Sequence, residues 1–208
     1  HHVSNQAFAD DNYIFPDASS TCELVFELMD EEKITKEIAE CLYTGMVHDT
    51  GVFQYSCTSA KTMNIAGRLM DKGIDYSKII DDTFYTKTYN QNRIMGLALV
   101  KSKLYLGGQC IVSSITQDEM HAYDVLPKHL DGIVSQLRVT KDVKVAVFLY
   151  ENEDGTYKAS FRVNGEFDAA SLAMEFGGGG HVKAAGCTMQ GALDEIESTL
   201  VDEIAARL

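Results

Sequence analysis

The chain has 208 residues, 45% of them hydrophobic, which suits one domain or two modest ones with real cores. Its net charge of −13 argues against a protein that holds long DNA on a broad basic face, because Lys and Arg supply most of that affinity. A small anion in a focused pocket remains compatible with this charge. No apolar run approaches the roughly 18 to 20 residues that span a bilayer, and no signal-peptide pattern is visible.

The cysteine content favours a reducing compartment. The five cysteines are an odd number and form no Cys-x-x-Cys pair, which argues against a disulfide framework or a zinc site. We therefore predict a cytoplasmic protein without a membrane partner.

The first third of the chain has a helical pattern. Three helices are expected between residues 17 and 73, each opened by a hydroxyl side chain that can cap it. The expected N-caps are Ser20, Thr35 and Ser59. Ser20 and Glu23 have the spacing of a capping box, and Leu24, Val25 and Leu28 are expected on the buried face of the first helix.

Strand patterns dominate beyond residue 100. Before them, residues 91–102 predict a helix that joins the two halves. Strands are expected at residues 109–116, at 143–150 and 156–163 as a hairpin around the turn-rich ENEDG, and at 184–189. A short helix capped by Asp168 and a final helix over residues 192–208 complete an α/β pattern.

One strand of the hairpin carries a polar face. Alternate residues of a strand share a side, so the apolar residues 157, 159, 161 and 163 predict a buried face and Lys158, Ser160 and Arg162 lie opposite. Arg162 beside a hydroxyl could hold a phosphate with its guanidinium fork. A solvated outer face is the alternative, and it is the interpretation we favour for Lys158.

Four consecutive glycines, residues 177–180, stand directly before His181. They fit neither a Walker loop, which needs Lys followed by Ser or Thr, nor a dinucleotide fingerprint, which lies between a strand and a helix. Here a predicted helix comes first and a small-residue strand follows. The glycines either end that helix and form a turn, or let the backbone approach a phosphate with His181 as an added donor.

Four blocks of the chain, in order, resemble the DHH phosphoesterases. Residues 1–21 (HHVSNQAFADDNYIFPDASST) resemble the third motif of that family, and residues 45–56 (GMVHDTGVFQYS) resemble the fourth. SFRVNG at 160–165 and FGGGGHVKAAG at 176–186 resemble the associated DHHA1 domain. The likeness is greatest to the branch of oligoribonucleases and 3′-phosphoadenosine 5′-phosphate phosphatases called nanoRNases, which is related to the RecJ exonucleases.

The resemblance implies a fold and a set of roles. It implies the C-terminal part of a parallel-sheet DHH domain over residues 1–80, a helical linker over 81–103 and a mixed-sheet α/β DHHA1 domain over 104–208. It further implies that two Mn²⁺ ions act in the intact protein, with His1 and Asp49 as ligands and His2 beside the scissile phosphate. The implied substrate-binding residues are Ser160, Arg162, Gly178, Gly179, Gly180 and His181.

The chain also departs from the family pattern. The Asp of the Asp-His-His motif and two upstream motifs are not in it, so an N-terminally truncated protein with an incomplete metal site, inactive alone, is expected. Val163 stands where many relatives have Ser.

The expected function is hydrolysis of short RNA, linear dinucleotides or 3′-phosphonucleotides in a cleft between the two domains, in a protein that could be a homodimer. The alternatives are a relative acting on cyclic dinucleotides, polyphosphate or DNA, and a non-catalytic nucleotide-binding module.

Overall fold

The computed structural model describes residues 9–208, and the chain divides into two compact units, His1–Thr86 and Lys87–Leu208. The predicted roles of His1 and His2 therefore lie outside the described residues. The described part of the first unit consists of helices and turns. Its helices are α1 (Thr21–Leu28), α2 (Lys36–Asp49), α3 (Ala60–Met70) and α4 (Tyr76–Ile80), with a 3₁₀ turn at Glu31–Lys33 and a π turn at Asp81–Tyr85.

The three predicted N-caps are confirmed. Ser20, Thr35 and Ser59 each accept a hydrogen bond from a backbone N–H in the first turn of α1, α2 and α3. A typical cap of this kind stabilises a helix by about 1 kcal/mol. The core of the unit lies between α2 and α3, where Met46 and Leu69 are fully buried.

The predicted buried face of α1 is wrong in part. Leu24 is buried, but Val25 is 39% and Leu28 is 64% exposed, and Phe26 is buried instead. Glu23 is also buried. Its carboxylate accepts hydrogen bonds from Ser19 Oγ at 2.5 Å and Thr62 Oγ1 at 2.7 Å. These bonds compensate the loss of water around the charge and join α1 to α3.

The second unit is a six-stranded mixed sheet with helices on both faces. The helices are α5 (Tyr89–Lys101), α6 (Gln117–Ala122), α7 (Ile133–Arg138), α8 (Ala169–Glu175) and α9 (Leu193–Ala205). The strands are β1 (Lys103–Tyr105), β2 (Cys110–Ile115), β3 (Val145–Glu151), β4 (Tyr157–Val163), β5 (Gly179–His181) and β6 (Ala184–Met189). Their order is β1-β2-β3-β4-β6-β5, and only β2 and β3 pair in parallel.

The two faces of this sheet are covered to different extents. One face packs against α8 and α9 along its length, with core residues from β2, β3, β4 and β6. The other face packs against α5, α6 and α7, and within the described second unit that core includes residues of β2 and β3 but none of β4, β5 or β6. The side of β4, β6 and β5 that faces away from α8 and α9 is called the open face below.

The mixed α/β sheet and the β3–β4 hairpin are confirmed. Residues 157, 159, 161 and 163 are all buried, as the alternation predicted. The division between the units falls after Thr86, and α5 packs Ile94 and Ala98 into the core of the second unit.

Candidate functional site

The open face brings together residues from three strands in two rows. In the β4–β6–β5 register, Arg162 lies opposite Ala184, which lies opposite His181. In the next row, Ser160 lies opposite Gly186, which lies opposite Gly179. Because directly opposed residues of a ladder project to the same side, all of these residues share the open face. Ala184 and Gly186 form a floor of small residues between β4 and β5.

Arg162 lies at the edge of this floor and has no carboxylate partner among residues 9–208. Its side chain is half-buried, and Nη1 donates to the carbonyl oxygen of Phe161 at 3.0 Å. No ion pair joins it to an acidic residue within 9–208. Most of its donors therefore remain available for an anion, and a guanidinium fork matches two phosphate oxygens.

The end of β4 next to Arg162 is fixed by Asn164. Its Nδ2 donates to the carbonyl oxygens of Arg138 and Val143 at 3.0 and 2.8 Å, and its Oδ1 accepts from Arg138 Nη1 at 2.8 Å. This fully used amide joins the end of β4 to α7 and to the segment before β3. The strand that carries Arg162 is thus anchored two residues beyond Arg162.

The four glycines have different structural roles. Gly177 has a φ of 70° and ends α8, as the helix-ending interpretation predicted. A Cβ on Gly178 would lie 2.2 Å from the Gly186 carbonyl oxygen, and one on Gly180 would lie 2.6 Å from that of Ala184. Gly179 has neither a positive φ nor a neighbour within 4 Å of such an atom. Backbone conformation explains Gly177, and close packing against β6 explains Gly178 and Gly180, but neither explains Gly179.

His181 ends β5 at the tip of a tight turn to β6. It is exposed, and the turn residues Val182 and Lys183 are tied down by backbone bonds: Ala169 N–H donates to the Val182 carbonyl oxygen at 2.9 Å, and Val163 N–H to that of Lys183 at 3.2 Å. Lys183 Nζ also donates to the Gly165 carbonyl oxygen. The position of His181 beside the open face is thus set by several bonds on each side of it.

Asp49, the predicted metal ligand of the first unit, is the last residue of α2 and is exposed. Three left-handed residues follow it closely, Gly51 (φ 56°), Val52 (φ 56°) and Phe53 (φ 62°). Such a conformation is costly for a β-branched residue, about 1–3 kcal/mol. Buried Thr50 holds the turn, since its Oγ1 donates to the Met46 carbonyl oxygen and accepts from Phe53 N–H at 3.0 Å.

The carboxylate of Asp49 acts electrostatically on its surroundings. Burial raises the pKa of the Cys22 and Cys57 thiols, and the negative charge of Asp49 raises both further. A carboxylate at a helix C-terminus is also disfavoured by the helix dipole, and a bound cation would offset that interaction.

Comparison with known families decides what the second unit is. Residues 107–206 match the DHHA1 domain. The second unit is a DHHA1 domain. The resemblance to the DHHA1 domain that the sequence motifs predicted is thereby confirmed.

The likeness to known proteins extends beyond the DHHA1 domain to the whole chain. The chain is 29% identical over 211 residues to the bifunctional oligoribonuclease and PAP phosphatase NrnA of Thermus thermophilus, covering 100% of this chain and 63% of that protein. It is 26% identical to the cyclic-di-AMP phosphodiesterase GdpP of Bacillus subtilis, covering 92% of this chain and 29% of that protein. A crystal structure of an exopolyphosphatase-related protein from Bacteroides fragilis superimposes with a TM-score of 0.91 at 33% identity, over 98% of this chain and 62% of that one. The chain thus spans less than two thirds of the length of NrnA.

The DHHA1 domain places four of the six predicted substrate-binding residues on the open face, namely Ser160, Arg162, Gly179 and His181. Gly178 and Gly180 instead lie against the backbone of β6 on the side of the α8–α9 core. Val163 is buried in that same core. Its side chain points away from Arg162, so a residue at this position does not contribute a side chain to the open face.

The predicted metal ligands are located only in part. Within residues 9–208, no group of three or more His, Cys, Asp or Glu side chains is arranged to hold a metal ion. Asp49 is the one predicted ligand among the described residues. The carboxylate is chemically suited to Mn²⁺, but the described residues alone do not complete a site.

Cysteine chemistry is not part of the open face. Cys187 follows the floor residue Gly186 on β6, but its thiol is buried in the α8–α9 core, where loss of water raises its pKa. Burial raises the pKa of Cys110 to about 12. Both thiols are therefore neutral near pH 7 and are poor nucleophiles.

In the described chain, no helix is long and apolar enough to cross a membrane.

Proposed function

We propose that the complete protein is a phosphoesterase that hydrolyses short oligoribonucleotides, linear dinucleotides and 3′-phosphonucleotides, and that its DHHA1 domain binds their phosphate on the open face. The observation that supports this most strongly is the arrangement of Arg162, Ser160 and His181 around a floor of small residues. The name of the Thermus thermophilus relative, an oligoribonuclease and PAP phosphatase, points to the same substrates.

The chemistry of each side chain fits binding of a phosphate group. The Arg162 guanidinium donates in two parallel directions, the Ser160 hydroxyl adds a neutral donor, and the His181 imidazole donates from the other side of the floor. Gly179, on β5 beside that floor, adds no side chain to the open face. Together these groups can orient the phosphate and neutralise part of its charge, whereas hydrolysis itself needs further groups.

The first unit would supply those further groups. Asp49 and His1 would hold Mn²⁺, and His2 would lie beside the scissile phosphate. When bound, a pair of metal ions activates water and stabilises charge on the phosphate oxygens. The strained turn after Asp49 supports a functional role for that residue, because strain of this kind is retained chiefly where function requires it. A cytoplasmic location and a homodimer stay predictions.

The proposal predicts a defined order of substrates for the complete gene product in Mn²⁺. Di- and trinucleotide RNA and 3′-phosphoadenosine 5′-phosphate should be hydrolysed at least tenfold faster than a 24-nucleotide DNA strand, because a net charge of −13 disfavours the many phosphate contacts that hold a long strand. Release of mononucleotide and phosphate measures the rates, and EDTA should abolish them.

Other outcomes would contradict the proposal in distinct ways. Preferential cleavage of cyclic di-AMP would favour a cyclic-di-AMP phosphodiesterase activity, as in the name of GdpP. Binding of nucleotides without turnover by the complete protein would leave a nucleotide-binding module.

A further inference from the structure

Lys158 is the third polar residue of β4 on the open face. It lies two residues before Ser160 and four before Arg162, opposite Tyr150 of β3 and Thr188 of β6. An antiparallel strand rises about 3.4 Å per residue, so about 14 Å separates the backbone positions of Lys158 and Arg162. An extended lysine at this position would point away from the phosphate site.

The lysine side chain instead leans toward the site. Its Cε would lie 3.8 Å from a Cβ atom on Gly186, which belongs to the row of Ser160 and not to the row of Lys158. The positive charge of Lys158 also opposes the rise in pKa that burial causes at the adjacent Cys187. Both observations place the ammonium group over β6. A Cβ on Gly186 would be in ordinary van der Waals contact with this Cε, so the lysine side chain lies close above the β6 backbone.

The ammonium group has no counter-ion in the described chain. Lys158 is half-buried, and none of the ion pairs formed within residues 9–208 includes it. The leaning side chain reaches the row of Ser160, whose backbone lies two residues, or about 7 Å, from that of Arg162. Two cations on neighbouring rows of one face can each bind one of the 3′ and 5′ phosphates that flank a single nucleoside, which one arginine fork cannot hold together.

We infer that Lys158 binds a second phosphate group beside the one bound by Arg162, and thereby selects ligands with two phosphates over ligands with one. This inference rests on the proposed function, because it assigns a ligand to the same open face. It replaces the interpretation of Lys158 as a solvated surface residue, and it makes Lys158 a specificity-determining residue.

Calorimetric titration of the 208-residue chain with two probes, adenosine 5′-monophosphate and adenosine 3′,5′-bisphosphate, tests the inference. Lys158→Gln should weaken bisphosphate binding about tenfold and monophosphate binding less than twofold. It should also lower the salt slope of bisphosphate binding by about one, since one phosphate contact is lost. Lys158→Arg should restore most of the bisphosphate affinity, because it restores the charge.

Lys128→Gln is the matched control, since Lys128 is an exposed lysine of the same unit that lies in the 3₁₀ turn Pro127–Leu130 and not on the sheet. It should change neither affinity. Equal losses for both probes in Lys158→Gln, or no loss for either, would overturn the role of Lys158 while leaving the open face as the phosphate site. Failure of the wild-type chain to bind either probe would instead overturn the proposed phosphate site, and this inference with it.

Discussion

Arg162→Ala is expected to weaken binding of adenosine 5′-monophosphate to the 208-residue chain by about 10- to 100-fold. Hydrogen bonds to charged groups contribute about 1.5–3 kcal/mol, and this guanidinium can direct two of them at one phosphate. Arg162→Lys should recover only part of the loss, because an ammonium group keeps the charge but not the planar fork. Calorimetric titration at fixed ionic strength measures both losses.

The fold should tolerate the Arg162 substitutions. The side chain makes one hydrogen bond to the protein, to the Phe161 carbonyl oxygen, and no ion pair within the described residues. The free energy of unfolding should therefore fall by no more than about 1 kcal/mol. Arg93→Ala is the control, since Arg93 is an exposed arginine of α5 that contacts the rings of Tyr89 and Tyr123. An equal loss of affinity in both variants would show that general charge, and not the position of Arg162, governs binding.

The glycine run gives the second large effect, in which stability and binding separate. Gly178→Ala should lower the free energy of unfolding by about 2–4 kcal/mol, because its Cβ would meet the backbone of Gly186 at 2.2 Å and of Cys187 at 2.7 Å. Gly180→Ala should also destabilise the domain, because Gly180 has a φ of 146° and its Cβ would lie 2.6 Å from a backbone oxygen. Denaturant unfolding measures these losses.

Gly179→Ala should keep the fold stable and weaken nucleotide binding instead. Its Cβ meets nothing within 4 Å and its φ is open to any residue, so the fold should be as stable as before or up to about 1 kcal/mol more stable. The new methyl group would project from the floor of the open face, where we expect it to reduce nucleotide affinity at least tenfold. A stable Gly179→Ala variant with unchanged affinity would contradict the role of Gly179 in nucleotide binding.

Much of the second unit could be predicted from local pattern. The alternation at residues 157–163 predicted the buried and polar faces of β4, and the small-residue segment 184–189 predicted β6. The N-caps of α1, α2, α3 and α8 could also be predicted, because a hydroxyl or carboxylate just before an apolar helical stripe can accept a hydrogen bond from a backbone N–H of the first turn.

The rest depends on contacts that are distant in the sequence. Strand β5 begins with two glycines, which have a poor strand propensity, and its pairing with β6 requires glycine at position 180, where a Cβ would lie 2.6 Å from the Ala184 carbonyl oxygen. Burial of Glu23 in α1 depends on Thr62, 39 residues away. The need for glycine at position 186 likewise comes from another strand, because a Cβ there would lie 2.7 Å from the Ala159 carbonyl oxygen of β4.

The most direct test of the central claim is a backbone amide NMR titration of the 208-residue chain with adenosine 5′-monophosphate. If the open face is the phosphate site, the largest shift changes should occur at residues 160, 162, 179, 181 and 186, which three different strands bring together, and they should vanish in Arg162→Ala. Saturable binding with its largest changes elsewhere, and none on β4, β5 or β6, would contradict the assignment of the open face.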